Sequence, residues 1–199
     1  FALYAARNFQ CHVTTTTISA EQHRHAVERV RAEGLTDLIS VLPSHYRDVE
    51  GRFDAVVAIE MIAAVDWREY EAFFAACRQR LLPAGRLALQ AIVVPGSRFD
   101  IDKRKDDFIK KAIFPGGCLG SIEALVRAAS NAADLRLVQL DDIGVPYVET
   151  LRRWKTNLDN MGPSLPSVGD NERFRRLWRF YLTYCEAGFE EREISVVQM

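Results

Sequence analysis

No apolar run in the sequence approaches the ~18–20 residues that span a bilayer, so nothing in it reads as a transmembrane helix. Charge of one sign is lacking too: 26 Lys and Arg stand against 27 Asp and Glu, for a formal net charge of −1. That balance excludes a polybasic nucleic-acid binder and an acidic solvating tail. The four cysteines, Cys11, Cys77, Cys118 and Cys185, stand far apart with no CxxC pair. They give neither a zinc pattern nor a disulfide framework, and a reducing cytosol is the default expectation. His23 and His25 are two apart on a helical pattern and do not face one another, so no metal site is expected. There is no internal repeat and no low-complexity tract. An initiating methionine is also lacking. Phe1 already lies inside a helical pattern, and a missing upstream segment is the expectation.

What is present is an alternation of strand and helix patterns. At 199 residues and 48% hydrophobic, the chain has the size of one domain that buries roughly 70% of its unfolded surface. Residues 1–9 read as a helix, and 11–18 as a short β-branched strand. Ser19, with Gln22 three residues on, is a capping box that opens a helix to about Glu33, and Gly34 fits its end. Strands are expected at 38–42, 53–59, 86–94, 135–140 and 192–198. A helix at 70–82 is stopped by Pro83-Ala-Gly85, and two helices within 102–133 are separated by Phe114-Pro-Gly-Gly117. Residues 148–160 and 171–187 read as helices, with a Gly/Pro/Ser-rich loop at 162–169 between them.

This order predicts an α/β fold with a largely parallel sheet. Such sheets bind ligands where strands run out into the following helices. Three junctions, at 16–22, 44–48 and 59–70, place polar and aromatic residues there. They suit a nucleoside-type cofactor, although many α/β enzymes share the pattern.

An ordered set of segments then becomes specific. They are Thr17-Ile-Ser-Ala-Glu-Gln22, Tyr46-Arg-Asp-Val-Glu-Gly-Arg-Phe-Asp54, Ala58-Ile-Glu-Met-Ile62, Ala72-Phe-Phe74 and Leu81-Leu-Pro-Ala-Gly-Arg-Leu87. Ile113-Phe-Pro-Gly-Gly117, Tyr147-Val-Glu-Thr-Leu-Arg-Arg-Trp154 and Tyr181-Leu-Thr-Tyr-Cys-Glu-Ala-Gly-Phe189 complete it. Over 1–198 the sequence resembles the cyclopropane-fatty-acyl-phospholipid synthases, including the mycolic-acid cyclopropane synthases. The resemblance implies a Rossmann-like class I methyltransferase sheet flanked by helices. It also implies S-adenosylmethionine as cofactor and methylene transfer to a cis double bond of an acyl chain. In that chemistry the alkene attacks the sulfonium methyl, a base removes a proton from the resulting cation, and the ring closes. Bicarbonate is the family's expected base.

By position the resemblance assigns cofactor contact to Thr17, Ile18, Gln22, His45, Tyr46, Arg47 and Ile59. From the residues alone, helix capping for Gln22 and core packing for Ile18 and Ile59 are the competing readings. Tyr147 matches a tyrosine that holds bicarbonate. Gln90 stands where some members have histidine, and Glu60, three residues before Ala63, stands where some relatives also have glutamate. These three are the candidate catalytic residues. The expected partners are unsaturated phospholipid acyl chains, met by a peripheral cytoplasmic protein at the inner membrane surface, with no nucleic acid.

Several features depart from the family. Phe1 begins after the family's first strand and glycine-rich loop, and an upstream site cysteine is absent as well. Residues 1–199 therefore read as a single methyltransferase-like domain, N-terminally incomplete, with helical insertions at about 102–133 and 148–188. His45 stands where many relatives have aspartate. Ala63 replaces a glutamate that orients bicarbonate, and its methyl can neither donate nor accept a hydrogen bond. The alternative function is a degenerate or truncated relative that binds lipid or a partner without turnover. Two basic clusters, Lys103-Arg-Lys105 with Lys110-Lys111 and Arg173 to Arg179 around Trp178, read either as lipid-headgroup contacts or as solvated helix faces.

Overall fold

The computed structural model describes residues 1–161 and 171–199, so the loop expected at 162–169 lies outside the described residues. The chain forms two compact units, Phe1–Gly51 and Arg52–Met199.

In the first unit α1 (Ala2–Phe9), β1 (Val13–Thr16), α2 (Ala20–Ala32) and β2 (Ile39–Leu42) follow in order. The strands pair in parallel, from Val13 opposite Ile39 to Thr16 opposite Leu42. Ala6, Val30 and Ile39 form the core, ringed by Leu3, Val13 and Leu35. The capping box forms in part: the Ser19 hydroxyl accepts the Gln22 N–H at 3.3 Å, satisfying one of the orphan donors of the first turn of α2. An Arg7–Glu33 ion pair ties the two helices.

The second unit contains β3 (Phe53–Ile59), α3 (Tyr70–Arg80), β4 (Leu81–Val93), α4 (Gly96–Asp102), α5 (Phe108–Ala112) and α6 (Ile122–Ala133). It continues with β5 (Asp141–Asp142), α7 (Gly144–Asn160), α8 (Asn171–Glu190) and β6 (Ser195–Gln198). The sheet order is β3-β4-β6-β5. Only β3 and β4 run parallel; β6 is antiparallel to both of its neighbours. The sheet is therefore mixed rather than largely parallel. β6 enters through a tight turn after α8, where the Glu193 and Ile194 N–H groups both reach the Gly188 carbonyl.

Two further expectations need correction. Pro83-Ala-Gly85 does not precede the strand but lies inside β4, at a register shift in which Phe53 faces Leu81 while Ala55 already faces Arg86. Gly85 is required there, because a Cβ would stand 3.0 Å from the Asp54 carbonyl oxygen. The strand expected at 135–140 does not form. Asp141 pairs with Gln198, so residues ahead of Asp141 run past the last paired position of β6, and Val138 is 85% exposed.

The core of this unit is aromatic and aliphatic. α3 buries Tyr70, Phe73, Phe74 and Cys77, and α6 packs on it through Ala124, Leu125 and Ala128. Phe73 and Phe74 are thus core residues. α7 and α8 pack together around Leu151, Leu158, Leu182 and Phe189, with Val196 of β6 beneath. Cys11 is exposed, Cys77 and Cys118 are buried, and burial pushes the Cys77 thiol up to about 12. Among the described residues no helix is long and apolar enough to cross a membrane.

Buried charge fixes the α7–α8 pair. Glu186, 9% exposed, accepts the Arg152 Nε–H at 2.8 Å and is paired with Lys155. The Lys155 hydrogen bond, followed by that of Arg152, holds its carboxyl below the ordinary value of 4.5. A carboxylate depressed by folding stabilises fully above its unfolded value, and that stability is lost as pH falls through the folded value. Glu186→Gln is therefore expected to cost about 1–2 kcal/mol at pH 7. It should also flatten the loss of stability below pH 4.5. Urea denaturation of both proteins at neutral and acid pH checks this.

Candidate active site

β3 runs out at Ile59, and Glu60 then adopts the left-handed conformation, φ 57 and ψ 5. For a residue with a side chain this costs roughly 1–2 kcal/mol. The conformation is held from two sides. The Glu60 N–H donates to the Gln90 carbonyl at 2.8 Å, extending the β3–β4 ladder, and the Glu60 carbonyl accepts from Ala63 N–H as a short helical turn begins.

At this corner the three candidate catalytic residues meet. The Tyr147 hydroxyl donates to Glu60 Oε1 at 2.8 Å, and Gln90 Nε2 donates to the same oxygen at 2.8 Å. Glu60 comes from the end of β3, Gln90 from β4 and Tyr147 from the first turn of α7. Glu60 Oε2 has no hydrogen bond among the described residues. The Tyr147 ring is fixed by Phe189, 4.9 Å away between centroids, and by Trp154 at 6.1 Å. Burial first, and then the bond to Glu60, raise the Tyr147 hydroxyl well above its ordinary range, so it stays protonated and donates.

Tyr181 and Cys185 of α8 share this environment. Burial raises the Tyr181 hydroxyl, with Cys185 and the Glu60 charge adding to it, and burial pushes Cys185 up to about 11. Trp178 meets Tyr181 edge-on at 5.3 Å, and Phe114 meets it at 6.1 Å. One carboxylate thus stands among neutral donors and aromatic rings. Such a site can accept a proton at Oε2 and stabilise positive charge through ring quadrupoles.

Ala63 lies one short turn away, its carbonyl accepting the Cys118 N–H at 2.9 Å. Gly117 is held against it so closely that a Cβ would stand 2.8 Å from that carbonyl oxygen. The Phe114-Pro-Gly-Gly117 segment therefore closes over the turn that follows Glu60.

Six of the seven cofactor candidates lie in the first unit, at the carboxyl ends of β1 and β2. The Thr17 hydroxyl donates to Gln22 Oε1 at 2.7 Å and accepts the Ser19 N–H at 3.2 Å. That bond leaves the Gln22 NH2 group outward on an exposed side chain. After β2, His45 Nδ1 accepts the Arg47 N–H at 3.3 Å, the His45 and Tyr46 rings lie 4.3 Å apart, and the Arg47 guanidinium stands 5.3 Å from the Tyr46 ring. The Thr16 hydroxyl bonds to the Ser44 carbonyl, so the two loops are joined. Ile18 is 79% exposed, and Ile59, the seventh candidate, is 49% exposed at the end of β3. Core packing is not their role within these units.

The first basic cluster is largely engaged internally. Lys110 Nζ donates to the Asp102 and Lys105 carbonyls at 2.9 and 2.8 Å. Lys103 pairs with Asp100 and sits 4.3 Å from the Trp67 ring centroid. In the second cluster, Arg175 and Arg179 both bond to Asp159 of α7. Among the described residues no group of three or more His, Cys, Asp or Glu is placed to hold a metal ion.

The family model described as mycolic acid cyclopropane synthetase matches residues 1–199. The chain belongs to the mycolic acid cyclopropane synthetase family. It is 38% identical, over 94% of its length, to tuberculostearic acid methyltransferase UfaA1 of Mycobacterium tuberculosis, of which it covers 44%. It is 34% identical over its whole length to cyclopropane-fatty-acyl-phospholipid synthase of Escherichia coli, of which it covers 49%. The chain thus spans about half the length of these curated relatives. Among solved structures, mycolic acid cyclopropane synthase CmaA1 complexed with SAH and CTAB superposes with a TM-score of 0.86 at 24% identity, covering 98% of this chain and 71% of that one. Cyclopropane synthase MmaA2 from Mycobacterium tuberculosis gives 0.85 at 21% identity, covering 98% and 70%. These likenesses establish the class I methyltransferase fold, a mixed sheet flanked by helices.

Three residues of this synthetase family member went unassigned in the sequence. Tyr181 and Cys185 lie in a quoted motif, four apart on one helical face, which was the available signal. Gln198, whose Nε2 donates to Gln90 Oε1 at 2.8 Å, becomes visible only when β4 and β6 are put in register. Glu60→Gly should remove the side chain and relieve the backbone, leaving stability unchanged or higher by up to about 1 kcal/mol. A loss exceeding that in chemical denaturation would show that Glu60 supports the fold rather than the site.

Proposed function

We propose that this chain carries the catalytic part of an S-adenosylmethionine-dependent enzyme. It transfers a methylene or methyl group to the double bond of an unsaturated fatty acyl chain of a phospholipid. The observation that carries the reading is the convergence of Tyr147 and Gln90 on one oxygen of Glu60. Family membership and the names of the relatives, a fatty-acyl-phospholipid synthase among them, support the lipid class.

The first unit offers groups that fit the cofactor. The hydroxyl of Thr17, the outward amide of Gln22 and the backbone around them suit its polar parts. The exposed Ile18 and the tilted His45–Tyr46 ring pair, with Arg47 beside it, suit an adenine ring. When bound, S-adenosylmethionine supplies an electrophilic one-carbon group. The protein's own part is to hold the alkene in a dry aromatic environment, stabilise the positive charge left on the acyl chain, and take up its proton. Phe114, Trp178 and Tyr181 serve the second task and Glu60 Oε2 the third, with Tyr147 and Gln90 holding Oε1.

Bicarbonate does not fit this donor set. Ala63 has no side-chain hydrogen-bonding group, and the Tyr147 hydroxyl is already given to Glu60. A phospholipid substrate would be met by the enzyme as a peripheral protein at the inner membrane surface, on the cytoplasmic side, with exposed Arg104 and Lys111 turned to headgroup phosphates.

The complete natural protein, incubated with methyl-labelled cofactor and monounsaturated phospholipid vesicles, should yield labelled cyclopropane or methyl-branched lipid. Tyr147→Phe and Gln90→Ala should each lower kcat by about 10–100-fold, and Glu60→Gln by more. Label found in a small soluble acceptor and not in lipid would overturn the reading. Ala63→Glu separates Glu60 as the base from a site disabled by alanine. The expected outcome is no gain in rate beyond about twofold, because a second carboxylate beside Glu60 adds like charge. A large gain would mean that Ala63 had disabled the site.

A further inference from the structure

We propose that Gln198 is a positioning residue that fixes which way the Gln90 amide faces, and through it the Glu60 carboxylate. The inference rests on Glu60 acting as proton acceptor in the reaction proposed above. Gln198 of β6 is the direct antiparallel partner of Gln90 in β4, so the two side chains stand on the same face of the sheet. Gln198 Nε2 donates to Gln90 Oε1 at 2.8 Å, and Gln90 Nε2 donates to Glu60 Oε1 at 2.8 Å.

The direction of the relay is fixed at both ends. An ionised carboxylate only accepts, so the end of the Gln90 amide facing Glu60 must be NH2. Its oxygen then faces β6 and needs a donor there. Gln198 supplies one; a group that can only accept would compete for the Gln90 NH2 and turn it away from Glu60. With the amide turned, a carbonyl oxygen would face the carboxylate, and Tyr147 would be the remaining donor on Oε1. Among the described residues the titratable groups that act on Glu60 are Tyr147 of α7 and Tyr181 of α8, with Cys185 of α8 beside both tyrosines, all held protonated. On the far side Asp141 of β5 is paired in register with Gln198 and accepts from Gln139 Nε2 at 2.6 Å, so it does not supply the missing donor.

Gln198 is itself exposed. A merely structural role would leave substitutions there within ±0.5 kcal/mol of the wild type and indifferent to whether the new group donates or accepts. The relay predicts a ranking instead. In the complete natural protein, Gln198→Glu should lower kcat about tenfold, with the KM for unsaturated phospholipid changed less than about twofold. Gln198→Ala should fall in between, and Gln198→Lys, which restores a donor, should recover most of the loss. The side-chain amide NMR signal of Gln90 should move in Gln198→Glu and keep its wild-type position in Gln198→Lys. Equal rates for the three variants of an active enzyme, or an unmoved Gln90 signal in Gln198→Glu, overturn the proposal. A protein that transfers nothing to lipid, yet shows the Gln90 signal moving as stated, leaves the positioning role standing and fails the substrate reading.

Discussion

The site depends on one backbone hydrogen bond. The Glu60 N–H reaches the Gln90 carbonyl at 2.8 Å just beyond the last β3–β4 pair, and this holds the chain in a conformation that glutamate does not favour. Because the same two residues then meet through their side chains, the strand ladder and the reactive group share one register. A slip of one residue between β3 and β4 would turn Gln90 to the other face of the sheet and leave Glu60 with Tyr147 alone. The register shift at Pro83-Ala-Gly85 lies far from this end of the pair. The irregularity is absorbed near Phe53 before the ladder reaches Ile59.

The second wall of the site is helical, and its rigidity has a different origin. Tyr147 and Tyr181 lie on α7 and α8, which share an apolar seam and the Glu186 ion cluster. The cluster pins the pair through Arg152 and Lys155 of α7 on Glu186 of α8. Tyr147 of α7 also packs on Phe189 of α8, so aromatic packing and charge together set the rotation of these helices, which a reacting alkene would need.

Local patterns in the sequence were good guides to elements. Ser19 announced α2, and the β-branched and apolar run at 53–59 is β3 residue for residue. What could not be read were facts of pairing. The apolar residues at 135–140 carry strand character, yet the register of β5 against β6 leaves them without a partner. Gln198 looked like the polar end of a closing strand until the antiparallel register set it beside Gln90. The cofactor candidates were placed by resemblance, and the structure adds what local sequence withholds: the Thr17–Gln22 bond, the tilted His45–Tyr46 ring contact, and the exposure of Ile18.

The distribution of thiols has a practical corollary. Cys11 alone of the four is exposed, while burial keeps Cys77 and Cys185 protonated far above neutral pH and Cys118 is buried as well. A maleimide dye offered to the folded protein at neutral pH would be directed to a single position, in the short segment between α1 and β1. The chain thus carries a native attachment point for a fluorophore in the unit that bears six of the seven cofactor candidates, with no engineered cysteine.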